Sequence, residues 1–307
     1  MIEARGLTKK YGSTVAVRDL TFDVVPGRVT GFLGPNGAGK TTTMRLTLGL
    51  DSPSAGSVRV GGRPYRGMRR PLFDVGAMLE SAAIHPGRSA RGHLLALAQS
   101  NGIPHRRVDE VLGLAGLDSV ARVRAGVFSL GMTQRLGIAA AMLGDPAVLL
   151  LDEPVNGLDP EGVAWIRRLL RSLAAEGRTV FVSSHLMTEM AQTADHLIVI
   201  GRGQLIADTS MEEFVRQGAA GYIQVRSPDD RLEQLLRQHG ATVTIGDDGA
   251  MAVSGMTITT VGELAARHGI VLHELVAKRA SLEEAFMELT KNAVDYQPRI
   301  AEPEMRA

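Results

Sequence analysis

Apolar positions follow two rhythms along this chain. Five short continuous runs, at 29–33, 75–79, 148–151, 180–182 and 197–200, are mostly bounded by Gly, Pro or charge and separated by stretches of helical spacing. Continuous runs of this length suit strands buried on both faces, so the pattern predicts an α/β fold with a parallel sheet covered by helices on both sides. Residues 2–25 alternate apolar and polar positions, which predicts antiparallel pairing. Between 81 and 144 no run reads as a strand. The stretch is rich in Ala, Leu and Arg, with turn signals at 85–87 and 102–104, and it predicts a helical insertion between two sheet strands.

The composition shifts after 218–221. From there IQVRS predicts a strand, DDRLEQLLRQHG a helix, ATVTIG and AMAVSG a hairpin around DDG, TTVGELAARHG a helix, IVLHELVA a strand and SLEEAFMELT a helix. The order β-α-β-β-α-β is that of a small α+β ferredoxin-like unit. Ser281 and Glu284 have the spacing of a capping box for the last helix. The expected division is therefore a domain over 1–218 with its helical part near 81–144, an accessory domain over 221–290, and a polar, frayed tail over 292–307.

The residues directly after the first four buried runs carry the chemistry: Gly34 and a glycine loop, then Glu80, then Asp152 and Glu153, then Ser183, Ser184 and His185. In open α/β sheets ligands bind at the carboxyl ends of the strands. The loop reads GPNGAGKTT and matches G-x-x-x-x-G-K-[ST]. Backbone N–H groups around Asn36, Gly37, Ala38, Gly39 and Thr42 can hold phosphate oxygens at a helix start. Lys40 would reach the β- and γ-phosphates of a nucleotide, and the Thr41 hydroxyl would ligate Mg²⁺. A glycine turn with a solvated lysine is the plainer alternative, and the strand before it and helix after it tell against that. Asp152 closes a buried strand, where a carboxylate needs a cation. Glu153 is the candidate general base for an attacking water. A surface turn starting before Pro154 is the alternative for this acidic pair.

Composition narrows the field. Net charge is +1, which gives no electrostatic support for a nucleic-acid partner. There is no cysteine, which excludes disulfides and thiolate metal sites. No apolar run approaches the ~18 residues that span a bilayer, and the first residues lack the apolar core of a secretory signal, so a soluble cytosolic chain is expected. His239, His268 and His273 are not at metal-ligand spacing and read as structural or surface residues.

Together these motifs resemble the nucleotide-binding subunit of an ATP-binding cassette (ABC) transporter, over roughly 1–211. The resemblance implies a P-loop NTPase core with an antiparallel β subdomain and a helical insertion, binding ATP and Mg²⁺. FSLGMTQRLGIAAAML resembles the signature loop and helix, so Ser129 and Gly131 would contact the γ-phosphate held by a second copy. NGLD at 156–159 resembles the D-loop of the dimer seam, His185 the switch histidine on the γ-phosphate, and Tyr11 the aromatic that stacks on adenine. Two departures stand out. Leu130 and Met132 replace a Gly and a Gln of the usual signature, and Glu80 stands where a metal-ligating Gln is usual. With GAMLESAAIHP, these variants resemble the bacitracin-export branch. That branch implies a homodimer, or a pair with a related ATPase, at the cytoplasmic face of the plasma membrane beside integral-membrane permease subunits. Drug, antibiotic or lipid-like cargo would be exported.

Two other functions fit the chain less well. A soluble ABC ATPase acting on ribosomes or DNA would carry two cassettes or a long coiled coil between the motifs, and this chain has neither. A non-hydrolysing nucleotide sensor would not need Glu153.

Overall fold

A computed structural model describes residues 1–79, 84–218, 222–246, 249–278 and 282–290. Glu80, Ser281 and the tail from 292 on lie outside the described residues. The chain divides into two compact units, one containing Met1–Met211 and the other Glu212–Glu288.

In chain order the first unit runs β1 Ile2–Tyr11, β2 Thr14–Val24, β3 Val29–Leu33, α1 Lys40–Thr47, β4 Ala55–Val60, α2 Pro71–Asp74 and β5 Val75–Met78. Then come α3 Ala90–Asn101, α4 Arg106–Leu114, α5 Leu130–Met142, β6 Val148–Leu151, α6 Pro160–Ala175, β7 Thr179–Ser184, α7 Met187–Thr193, β8 His196–Gly201 and β9 Gln204–Ser210. All five buried runs are strands of one six-stranded sheet in the order β5-β6-β7-β3-β8-β9, parallel except at the β9 edge. β3, β6 and β7 are buried at every position, which is why they carry no charged residue and, before Ser183 and Ser184, only the threonines Thr30 and Thr179 as polar side chains. The alternating N-terminal stretch forms the antiparallel sheet β2-β1-β4.

The core lies where the inner face of the antiparallel sheet meets the parallel sheet. Phe22 from β2, Phe32 from β3 and Phe181 from β7 meet there, with ring centroids 5.0–5.8 Å apart. The helical insertion is present as α3, α4 and α5, which pack on one another. Trp165 of α6 anchors it, donating from Nε1 to the Leu114 carbonyl at 3.0 Å while the Arg135 guanidinium lies 4.6 Å over its ring.

Three sequence expectations need correction. β4 and β9 were not expected; both are largely exposed, so neither carries an apolar run. The strand over 180–182 is longer. It takes in Ser183 and Ser184, whose hydroxyls have partners inside the fold and so tolerate complete burial. The strand expected over 270–277 is confined to Glu274–Lys278.

The second unit opens with α8, Met211–Gly218, whose first residue is the last of Met1–Met211. It contains β10 Tyr222–Arg226, α9 Arg231–Gln238, β11 Thr242–Ile245, β12 Met251–Ser254, α10 Ile258–Arg267 and β13 Glu274–Lys278, with α11 Leu282–Thr290 closing the described chain. Its sheet is antiparallel in the order β11-β12-β10-β13. Ile223, Val225, Met251 and Val253 form a core with Leu232 and Leu236 of α9 and Val261 and Leu264 of α10.

One close approach fixes α5 against the sheet. A Cβ on Gly76 of β5 would lie 2.0 Å from the Ala141 carbonyl oxygen. Backbone on both sides leaves no inexpensive relaxation, so Gly76→Ala should lower unfolding free energy by at least about 1–3 kcal/mol. Urea denaturation checks it; an unchanged midpoint would show that α5 does not sit this close.

Candidate functional site

The parallel register brings three strand ends level. Leu33 pairs with Ser184 and Leu151 with Val182, so the residues that follow β3 and β6 stand beside the end of β7. After β3 the chain turns through Gly37, at φ 82°, and Gly39, at φ 101°, before α1 begins at Lys40. Gly39 has no room for a side chain, because a Cβ there would lie 2.6 Å from the Ala16 carbonyl. No side chain caps α1. Its first-turn N–H groups, which have no partner within the helix, keep their donor capacity for an anion.

Lys40 is buried, and its ammonium donates to the Gly34 carbonyl at 2.7 Å and the Pro35 carbonyl at 3.3 Å. It also lies 3.4 Å from Glu153 Oε1. The other Glu153 oxygen, Oε2, is 2.8 Å from His185 Nδ1. Glu153 therefore sits between a cationic side chain and an imidazole. Beside it, Asp152 is 8% exposed. Its Oδ2 accepts from the Thr41 hydroxyl at 2.5 Å, and its Oδ1 accepts from the Ser183 hydroxyl. The Ser183 oxygen in turn accepts the Glu153 N–H at 2.8 Å. Ser184 is within 3.3 Å of Glu189, whose carboxyl burial pushes above its usual range, with the Glu153 charge acting in the same direction.

The structure thus brings Lys40, Thr41, Asp152, Glu153 and His185 together. Asn36, Gly37, Ala38 and Thr42 lie in the loop and the first turn of the same helix. Ser129 is the N-cap of α5, its hydroxyl accepting the Met132 N–H at 3.2 Å. Gly131, two residues on, faces the 156–159 turn, where a Cβ would lie 3.1 Å from the Gly157 carbonyl. Among the described residues the hydrogen bonds of Ser129 stay within its own helix, and those of the Lys40 ammonium go to Gly34 and Pro35. Tyr11 ends β1, 47% exposed, with its hydroxyl donating to Asp51 Oδ2 at 2.8 Å. Arg45 Nε donates to the same oxygen, and the Lys9 ammonium stands 4.8 Å over the ring. The Arg45 bond, then the Tyr11 bond, hold the Asp51 carboxyl below its usual range.

Sequence reasoning missed the supporting residues. Ser183 stands among the strand-end candidates but without a partner or role, and Asp51, Arg45 and Gln134 are not singled out. Their partners lie 6–40 residues away along the chain, and no local spacing marks them.

A buried lysine at a glycine-lined helix start, with a carboxylate pair at the end of the strand one beyond its neighbour in the sheet, is the arrangement of a phosphate-binding ATPase. The chain belongs to the ABC transporter family, as an ATP-binding and ATP-hydrolysing subunit: the ABC transporter family model matches residues 17–156. A model for a domain of unknown function matches 221–283. The chain is 35% identical to the bacitracin transport ATP-binding protein BcrA of Bacillus licheniformis, over 94% of this chain and 97% of that protein. It is 34% identical to the lantibiotic transport ATP-binding protein SrtF of Streptococcus pyogenes, over 68% of this chain and 90% of that one. A solved structure of an ATP-binding subunit of an ABC transporter superposes with a TM-score of 0.65 at 26% identity, covering 71% of this chain and 92% of that chain. Among the described residues no helix is long and apolar enough to cross a membrane.

Ser183→Ala removes a donor from buried Asp152 and the acceptor of the Glu153 N–H together. The expected loss of stability is about 1–3 kcal/mol, read by chemical denaturation of the nucleotide-free protein. A change within error would mean that the hydroxyl bridge contributes nothing.

Proposed function

We propose that the protein hydrolyses ATP to drive export of antibiotic-like cargo through separate membrane subunits, two copies working head to tail. The observation that carries the catalytic part is the placement of Glu153 between Lys40 and His185, next to the Thr41–Asp152 pair. The cargo class rests on the likeness to the bacitracin and lantibiotic proteins, the first of which is matched over almost its full length. With no spanning helix among the described residues, passage across the membrane falls to permease subunits, which would hold the protein at the cytoplasmic face.

The residues divide the work. The glycine loop and the start of α1 bind the phosphates, and Tyr11 stacks on the adenine. Lys40 turns to the β- and γ-phosphates, which releases Glu153 from it. Thr41 and Asp152 present a hydroxyl and a carboxylate side by side, a donor set that fits Mg²⁺, with Glu80 as a further ligand. When bound, the ion neutralises charge on the phosphate oxygens. Glu153 takes a proton from water as the water oxygen bonds to the γ-phosphorus and the bond to the bridging oxygen breaks. His185 keeps Glu153 oriented and reaches the γ-phosphate. Ser129 and Gly131 serve the nucleotide of the second copy.

For the second unit we favour a ferredoxin-like accessory domain. Its β-α-β-β-α-β order, with β10 and β12 central, supports that reading. A position at the dimer contact is its expected role.

Glu153→Gln should reduce phosphate release by about 10²–10⁴-fold while ATP binding is retained. Wild-type specific activity should rise with protein concentration as dimers form; total activity strictly proportional to monomer concentration, with specific activity constant, would count against the two-copy site. Tyr11→Leu should weaken ATP binding about 10-fold, equivalent to about 1.4 kcal/mol, with a smaller effect on kcat. Equal affinity in wild type and variant would remove Tyr11 from the nucleotide site.

A further inference from the structure

Glu153 has a left-handed backbone, with φ at 49°. A residue with a side chain stays in that region only when its surroundings hold it there. Both flanking peptide groups are held. The N–H donates to Ser183 Oγ at 2.8 Å. The carbonyl accepts from the Asn156 N–H at 3.2 Å and from Gln134 Nε2 at 3.1 Å.

Gln134 is the unexpected member. It lies on α5 and is 3% exposed, although an amide in the second turn of a helix is ordinarily a solvated residue. Its side chain crosses from the helix capped by Ser129 to the strand end that carries Glu153. The φ of Glu153 sets the direction of its Cα–Cβ bond, and that direction places one carboxylate oxygen toward Lys40 and the other toward His185.

We propose that Gln134 is a positioning residue for Glu153. Its amide keeps the Glu153 peptide in the left-handed conformation and so aims the carboxylate at the attacking water. The contact also ties the base to the helix whose first turn carries Ser129. This rests on Glu153 acting as the base.

The test uses the full chain with two substitutions at this position and Glu153→Gln beside them. Gln134→Met keeps length and burial but has no donor. Gln134→Glu has a donor only when its carboxyl is protonated. Gln134→Met should lower kcat about 10- to 100-fold with KM for ATP unchanged. Gln134→Glu should match Gln134→Met at alkaline pH and recover toward wild type as pH falls, because protonation restores the hydrogen bond. The ratio of the two kcat values is read below both melting transitions, so lost stability does not stand in for lost positioning. A wild-type kcat in Gln134→Met overturns the proposal, as does a ratio that stays flat with pH. If Glu153→Gln turns over ATP like wild type, the base assignment itself is wrong. If Glu153→Gln is inactive and Gln134→Met fully active, only the positioning role is wrong.

Discussion

A carboxylate at the end of a buried strand cannot be left without partners, and Asp152 organises the site through that requirement. Desolvation penalises its charge, and the Thr41 and Ser183 hydroxyls offset the penalty by donating to one oxygen each. Those donors come from the helix after β3 and from the last residues of β7. They reach Asp152 only because the parallel register sets the three strand ends level. The Phe22, Phe32 and Phe181 cluster holds two of those strands against the antiparallel sheet. The apolar core and the polar site are thus two ends of the same strands.

The second electrostatic arrangement is a row of three ionisable side chains. Buried Lys40 faces Glu153, and Glu153 faces His185. An ammonium this buried needs an anionic or carbonyl partner in every state of the protein. A triphosphate in the glycine loop supplies more negative charge than Glu153 does. Under the proposed mechanism, binding of the substrate and release of Glu153 from Lys40 would be one exchange of partners. Glu153 has the imidazole on its other oxygen, a contact that in the proposed mechanism would limit how far the carboxylate can swing.

The parallel strands were legible because burial on both faces leaves unbroken apolar runs at 29–33 and 148–151. The phosphate loop was legible because its glycines, Lys40 and Thr41 are contiguous, and Asp152 and Glu153 because they interrupt an apolar strand end. β4 and β9 were hidden by exposure: their partners are backbone groups, and hydrogen-bond ladders leave no mark on side-chain polarity. The Tyr11–Asp51–Arg45 set was half visible. Tyr11 stood out through its likeness to an adenine-stacking aromatic, whereas Asp51 matters only through a contact 40 positions away in the chain. The role of Ser183, and Gln134 altogether, were missed for the same reason. Each is polar, common and ordinary in spacing, and its role comes from burial beside a particular carbonyl or carboxylate.

The departures in the signature region also make physical sense in this fold. Leu130 replaces a glycine of the usual pattern, and its side chain lies against the α-carbon of Gly157, where an added Cβ would meet Leu130 Cδ2 at 2.2 Å. Gly157 is at φ 76° and can carry no side chain without moving Leu130. One turn further along α5, Gln134 binds the Glu153 carbonyl. The first two turns of α5 therefore touch the 153–159 segment near both of its ends, and Asp159 passes that placement on by capping α6. A displacement of the Ser129 turn cannot be absorbed by a loose loop between it and Glu153, because Leu130, Gly131 and Gln134 fill that space. In a molecule that uses Ser129 to sense a nucleotide, the base and the sensing turn would be parts of one packed body.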